Sequence, residues 1–141
     1  MSARPHRFAP AMIVALAGVA LSAAVWAHGA ASKLHGPVTA AETQAFEAAR
    51  PAFERHCFRC HAEDGKKAKP KARAHVDMTT YPFGGHHAGA SGAAVLATLG
   101  LGPAHKSATM PSDDPGAVTG EDLRLIRAWA EAFTAAHPPT E

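Results

Sequence analysis

Residues 57–61 read CFRCH, and they hold both cysteines of this 141-residue chain, followed directly by a histidine. Two thiols at this spacing can form a disulfide, act as a redox pair, supply half of a zinc site, or anchor a covalent cofactor. Each use needs a different surrounding structure. The fold expected for the chain therefore depends on which of the four uses applies.

Three of these uses fit the sequence poorly. A structural zinc site usually takes four Cys or His ligands in paired motifs, and no second motif follows at such a spacing. A thioredoxin-like pair is expected in a βαβ unit, and no strand is predicted near CFRCH. A disulfide between Cys57 and Cys60 would close a very small loop and constrain the unfolded chain little. The remaining use is haem attachment, for which CxxCH is the signature.

Haem attachment assigns a role to both cysteines and to the histidine of the motif. The Cys57 and Cys60 thiols would bond covalently to one edge of the porphyrin, and the adjacent His61 would become the proximal ligand of the iron. The sequence thus predicts one haem c as cofactor. The mature chain has few bulky apolar residues, and a large apolar disc would enlarge the core that such a small domain can build.

The N-terminal sequence is typical of a secretory signal peptide. Arg4 and Arg7 give it a basic start, residues 11–27 carry no charge, and the segment ends in Val25-Trp26-Ala27. This pattern predicts cleavage after Ala27, and the apolar run is short for a membrane span. We expect export to the periplasm, with membrane attachment only if the segment stays uncleaved. An export signal also strengthens the interpretation of CFRCH as a haem motif.

The remaining sequence predicts a single domain at residues 39–137, after the signal peptide at 1–27 and a flexible lead-in at 28–38. Without Arg4 and Arg7, twelve basic residues face twelve acidic ones, so the overall charge gives no argument for nucleic acid as a partner. Basic residues do cluster locally, and this cluster could steer an acidic partner; its members are Lys66, Lys67, Lys69, Lys71 and Arg73.

Helices account for the rest of the domain. Thr39 and Glu42 form a capping-box signature at the start of a helix, in which Pro51 predicts a kink or a restart. No helix is expected over residues 62–87. A short helix is predicted at residues 91–100, capped by Ser91 and ended by Gly100.

The last predicted helix is the clearest one. Thr119 is placed as its N-cap, with Asp122 reaching back as an acidic form of the capping box. An apolar stripe follows, made of Leu125, Ile126, Trp129 and Phe133. The predicted fold class is therefore all-α, with three to four helices, no strands and long loops wrapped around the haem.

A haem iron with one histidine needs a sixth ligand or an open position, and Met/His ligation is the arrangement of electron-transfer cytochromes c. Met110 is the first candidate, because it lies in a proline-rich loop before the last helix and Pro111 stiffens that loop. Met78 follows His61 closely for a chain that must pass around the haem, so core packing is its expected role. The rival ligands are histidines: His86, His87 and His105.

Over about residues 39–133 these features resemble the class I monohaem c-type cytochromes. The resemblance rests on Phe53 before the first haem cysteine, on the CFRCH motif, on Met110-Pro111 before the last helix, and on Trp129 in that helix. It implies a cytochrome c-like all-α fold, iron ligation by His61 and Met110, and an aromatic Trp129 packed across the N-terminal helix.

The same resemblance also raises expectations that rest on weaker motifs. In the family, a proline carbonyl after the haem motif bonds the histidine ligand, and Pro70 stands at a fitting distance here but without the usual preceding glycine. Residues 81–89, YPFGGHHAG, are not standard to the family. We expect Tyr81 to bond a haem propionate or this segment to form a partner surface.

The expected function is that of a periplasmic one-electron carrier, a non-enzyme that is monomeric when free. Its partner would be a redox protein, without a small-molecule substrate. Alternatives remain open: a haem subunit of an oxidoreductase complex, a bis-His or open-site haem protein acting as sensor or enzyme, and a copper-binding protein that uses the His-rich loop.

Overall fold

The computed structural model describes residues 36–104 and 106–138. In that part of the chain every regular element is helical, and no strand is present beyond an isolated bridge between Asp77 and Gly84. The all-α class is therefore confirmed. The predicted signal peptide and most of the lead-in lie outside the described residues. None of the helices described is long and apolar enough to cross a membrane.

The elements follow one another in a simple order. They are α1 (Ala40–Phe53), a π-helical turn (Glu54–Phe58), α2 (Arg59–His61), α3 (Pro70–His75), a 3₁₀ turn (Ala88–Ala90), α4 (Ser91–Thr98) and α5 (Gly120–Ala136). α5 packs on both α1 and α4. The CFRCH motif therefore directly continues α1, across the π turn and α2.

Helix α1 begins as the sequence predicts. The Glu42 N–H donates to the Thr39 hydroxyl at 3.2 Å, and the Thr39 N–H donates to the Glu42 carboxylate at 3.4 Å, so the capping box is confirmed. The helix then runs on through Pro51 to Phe53, and the predicted restart at Pro51 is wrong. The Glu54 N–H reaches both the Arg50 and Pro51 carbonyls, and the π turn begins at Glu54.

The principal core lies between α1 and α5. Three members of the predicted stripe are buried on α5, whereas Leu125 is only partly buried; the buried ones are Ile126, Trp129 and Phe133. The Trp129 ring meets Phe53 edge to face, with centroids 4.9 Å apart. This is a favourable aromatic geometry, and it confirms that Trp129 packs across the N-terminal helix.

The start of α5 differs from the prediction. Thr119 occupies the N-cap position, but its hydroxyl makes no capping hydrogen bond. The Asp122 carboxylate turns instead to the π turn, where it accepts from Arg55 Nε at 3.2 Å and lies 2.8 Å from His56 Nε2. The predicted capping box at Asp122 is wrong because a long-range ionic contact replaces the local one.

Two further helical elements correct the sequence predictions. α3 lies inside residues 62–87, where no helix was expected, and Pro70 opens it at a position that proline favours. α4 begins at Ser91, which is its first helical residue and not its cap: the hydroxyl donates to the His87 and Ala88 carbonyls. Gly100 follows α4 at φ +79°, as expected for a helix stop.

Candidate functional site

A cavity of about 660 Å³ opens beside the CFRCH motif. Its size lies within the range of cofactor pockets, about 300–1,000 Å³. All four predicted site residues line it: Cys57, Cys60 and His61 from the motif, and Met110 from the loop before α5. Aliphatic side chains of α4 and of that loop complete the lining, among them Ala94, Val95, Leu99, Pro111 and Val118.

The His61 ring is fixed by a backbone carbonyl. Its Nδ1 donates to the Val76 oxygen at 2.8 Å, which assigns the proton to Nδ1 and leaves the lone pair of the neutral ring on Nε2. The Met78 N–H donates back to the His61 carbonyl at 2.9 Å. Pro70 does not hold this ring, so the expected proline contact is replaced by Val76, a long-range partner that no local sequence signal marks.

Both cysteines are free thiols and partly buried. Burial, together with the charge of Cys60, raises the pKa of the Cys57 thiol to about 12 against the opposing effect of Arg59. A thiol of this kind is protonated at neutral pH, whereas redox-active and zinc-binding cysteines need the thiolate. The environment of Cys57 therefore agrees poorly with a redox pair or a thiolate metal site.

Ionic contacts tie the motif to the loop that carries Met110. The Asp113 carboxylate is paired with the Arg59 guanidinium and lies 3.3 Å from Lys67 Nζ. The hydrogen bond from Lys67 lowers the pKa of Asp113, and the charge of Arg59 lowers it further. Arg59 also lines the cavity, while its Nε atom is buried and has no hydrogen-bond partner among the described residues.

Met110 shares the cavity with two of its predicted rivals. Met78 lines the same cavity but is 4% exposed and belongs to the core cluster. His87 also contributes to the lining, whereas His86 does not within the described part of the chain. His105 lies outside the described residues. The Met110 N–H donates to the Thr98 carbonyl at 3.2 Å, which anchors its loop on the end of α4.

Two members of the basic cluster are paired with acidic side chains. In the basic cluster, Lys67 is paired with Asp113, and Arg73 Nη2 lies 2.9 Å from Asp77. Lys69 and Lys71 are exposed at the cavity lining.

Tyr81 is not among the residues that line the cavity. Its hydroxyl donates to Glu42 at 2.5 Å and accepts from the Trp129 indole N–H at 3.0 Å. The expectation that Tyr81 bonds a haem propionate is wrong.

Comparisons of the chain with protein-family models, with curated proteins and with solved structures find no match. No family is shown for the chain by these comparisons. Its resemblance to the class I c-type cytochromes rests on the residues of the CFRCH motif, the Met110 loop and Trp129. The chemistry of the cavity must therefore be inferred from the residues that line it.

Proposed function

We propose that this chain is an exported c-type cytochrome that holds one haem in the cavity beside CFRCH and acts as a one-electron carrier in the periplasm. One observation carries the proposal: Cys57, Cys60, His61 and Met110, from segments far apart in sequence, all line a single cavity of about 660 Å³. A structural disulfide or a buried packing motif would not require this convergence of two thiols, an imidazole and a thioether.

The lining residues fit the chemistry of a haem. Both thiols are free, as covalent attachment requires, and His61 carries its lone pair on Nε2. The aliphatic side chains of α4 offer an apolar wall, and Arg59 brings a guanidinium to the lining of the cavity. When bound, the haem would supply an iron that gains and loses one electron.

The protein residues would then have distinct tasks. Cys57 and Cys60 would tether the group, and the Val76 carbonyl would keep His61 oriented and raise its basicity as a ligand. Met110 would supply the second protein ligand of the iron, so that no substrate reaches the metal. Its loop is held by the contacts of Asp113 with Arg59 and Lys67, which limits movement of Met110 between the two oxidation states.

Haem attachment and ligation can be tested together by substitution of Met110. We expect the wild-type protein, produced with haem-attachment machinery, to retain haem in a denaturing gel and to show the weak long-wavelength band of methionine-ligated ferric haem. Met110→Ala should keep the covalent haem and lose the band, because it removes only the thioether.

Met78→Leu is the matched control, since it replaces the other methionine of the cavity with a side chain of similar volume. It should keep both the haem and the band. Absence of covalent haem in the wild-type protein contradicts the proposed function as a whole. Survival of the band in Met110→Ala contradicts the ligand assignment and directs attention to Met78, whereas covalent haem without the band in the wild-type protein would direct it to His87.

A further inference from the structure

Three histidines gather at one edge of the molecule. His75 ends α3, while His86 and His87 lie in the loop before the 3₁₀ turn, and their ligand nitrogens all lie within 4.8 Å of one another. The centroid of the His86 ring lies 4.4 Å from the centroid of the His75 ring and 4.2 Å from that of the His87 ring. Three imidazoles this close form a donor set that is unusual on a protein surface without a ligand.

The backbone around the cluster is built to hold these rings together. The His86 N–H donates to the Ala74 carbonyl and the His87 N–H to the His75 carbonyl, each at 3.0 Å. The paired hydrogen bonds between Asp77 and Gly84, at 3.0 and 2.8 Å, close the intervening loop. The two segments are therefore connected on both sides of the cluster.

Gly85 permits this close approach. It has φ +85°, and a Cβ at this position would lie 2.7 Å from the His75 carbonyl oxygen. Only glycine combines that backbone conformation with that contact. The carbonyl of His87 is also occupied, because it accepts from Ser91 Oγ at 3.1 Å. The position of the histidine pair is thus fixed by the backbone, and the rings need only side-chain rotation to adjust.

We propose that His75, His86 and His87 form a binding site for one divalent late transition metal ion, with Cu²⁺ bound most tightly. Two nitrogens on one ion can be separated by about 4 Å at most, twice the metal–nitrogen bond length. Rotation of His75 and His86, whose side chains are exposed, closes the remaining distance. Three neutral imidazoles suit Cu²⁺, Zn²⁺ and Ni²⁺ and not Mg²⁺ or Ca²⁺, and Cu²⁺ ranks first in affinity.

The surroundings agree with this ligand set. Burial lowers the pKa of His87, and the neighbouring His86 and His75 lower it further, so that the ring is neutral and able to bind a metal at neutral pH. Arg73, on the same helix as His75, is neutralised by Asp77 at 2.9 Å. The site is distinct from the proposed haem ligation, although His75 and His87 also line the cavity, and it does not depend on haem being present.

Copper titration of the purified, metal-free protein tests the site. We expect calorimetry to find one Cu²⁺ per chain, and electron paramagnetic resonance of the copper to show coupling to imidazole nitrogens. His86→Ala should weaken binding at least about tenfold, the smallest loss typical for removal of even an outer-shell partner. His75→Ala gives a second, independent test, because both side chains are exposed and their loss should leave the fold intact.

His56→Gln is the control, since the His56 ring contacts Asp122 and belongs to no such cluster among the residues that the structure describes. It should bind copper as the wild type does. Equal copper affinity in the wild type, His75→Ala and His86→Ala overturns the proposal, as does a copper signal without imidazole coupling. Failure to attach haem would leave the copper result unaffected.

Discussion

The His61 ring shows how a site residue depends on contacts that are remote in sequence. Its Nδ1–H donates to the carbonyl of Val76, fifteen residues later. Such a bond fixes the tautomer and makes the other nitrogen a better metal ligand. A backbone acceptor cannot be removed by ordinary side-chain substitution. The orientation of His61 is therefore a property of how residues 62–76 fold, and it does not depend on one neighbouring side chain.

Tyr81 belongs to a buried network of hydrogen bonds whose members do not line the cavity. Its hydroxyl donates to Glu42 and accepts from Trp129, while the other carboxylate oxygen of Glu42 lies 3.0 Å from His137 Nε2. Glu42 and Trp129 are fully buried, and His137 is 2% exposed. Because unsatisfied buried polar groups are costly, each member of this network depends on the others.

The ionisation of Tyr81 provides a direct test of this network. Burial raises the pKa of the Tyr81 phenol, and the hydrogen bond to Glu42 raises it further. The neutral phenol is thus favoured in the folded state, and this contribution to stability is complete below the unfolded pKa of about 10 and is lost as pH rises through the folded value. Tyr81 is the only tyrosine, so ultraviolet difference titration reports on it alone.

We expect no tyrosinate near pH 10 while the protein stays folded, and a titration near pH 10 in urea. Tyr81→Phe should lack the signal in both conditions and lower the free energy of unfolding by about 1–3 kcal/mol, since it leaves Trp129 and Glu42 without their partner. Reversible titration of the folded protein near pH 10 would contradict the buried network.

At the scale of elements, Asp122 joins the π turn to the start of α5. Its carboxylate contacts both Arg55 and His56, and the hydrogen bond from Arg55, followed by that from His56, lowers its pKa. A lowered folded pKa stabilises the protein above the unfolded pKa of 3.8, and this contribution is lost as pH falls through the folded value.

Asp122→Asn should lower the free energy of unfolding by about 1 kcal/mol at pH 7, and the difference from wild type should vanish in acid. Denaturant titrations followed by circular dichroism at several pH values measure this. Glu121→Gln is the matched control, because Glu121 lies in the same helical turn but pairs locally with Arg124, and both of these side chains are exposed; its loss should therefore be smaller. An equal loss in both variants would show that Asp122 acts only through the helix dipole.

The elements that could be predicted from the sequence are those fixed by local contacts. The capping box at Thr39 and the helix stop at Gly100 depend on neighbours a few residues away, and both are confirmed. α3 was missed although Pro70 marks its first turn, because its six residues carry no apolar periodicity. The capping role given to Asp122 failed because two distant cations outcompete the nearby N–H groups.

The candidate site likewise contains some parts that local sequence predicts and others that it does not. The Cys57, Cys60 and His61 motif is contiguous and could be identified directly, and Met110 could be singled out by its position before the last helix. The Val76 carbonyl, the tether between Asp113 and Arg59, and the meeting of His75 with His86 and His87 all join segments separated in sequence. Only the folded backbone brings these groups together.

At the scale of the whole molecule, the described chain has two unequal halves. The large, fully buried apolar side chains all belong to α1 and α5; they are Phe53, Ile126, Trp129 and Phe133. α3, α4 and the loop at residues 110–118 instead surround the cavity. The first half has its own aromatic core, whereas the second half packs on α5 through α4 and also lines the cavity.

If the chain binds haem as proposed, this division predicts how the protein responds when the haem is absent. In the variant with both Cys57→Ala and Cys60→Ala, produced without covalent haem, hydrogen exchange followed by mass spectrometry should show protection retained in α1 and α5 and reduced in α4 and residues 110–118. The reason is that amide protection follows local burial and packing, and filling the cavity adds apolar contacts only to its walls. The wild-type protein with haem attached is the reference. Equal loss of protection in all helices would contradict an independent α1–α5 core, and an unchanged pattern would show that the cavity walls are stable without a ligand.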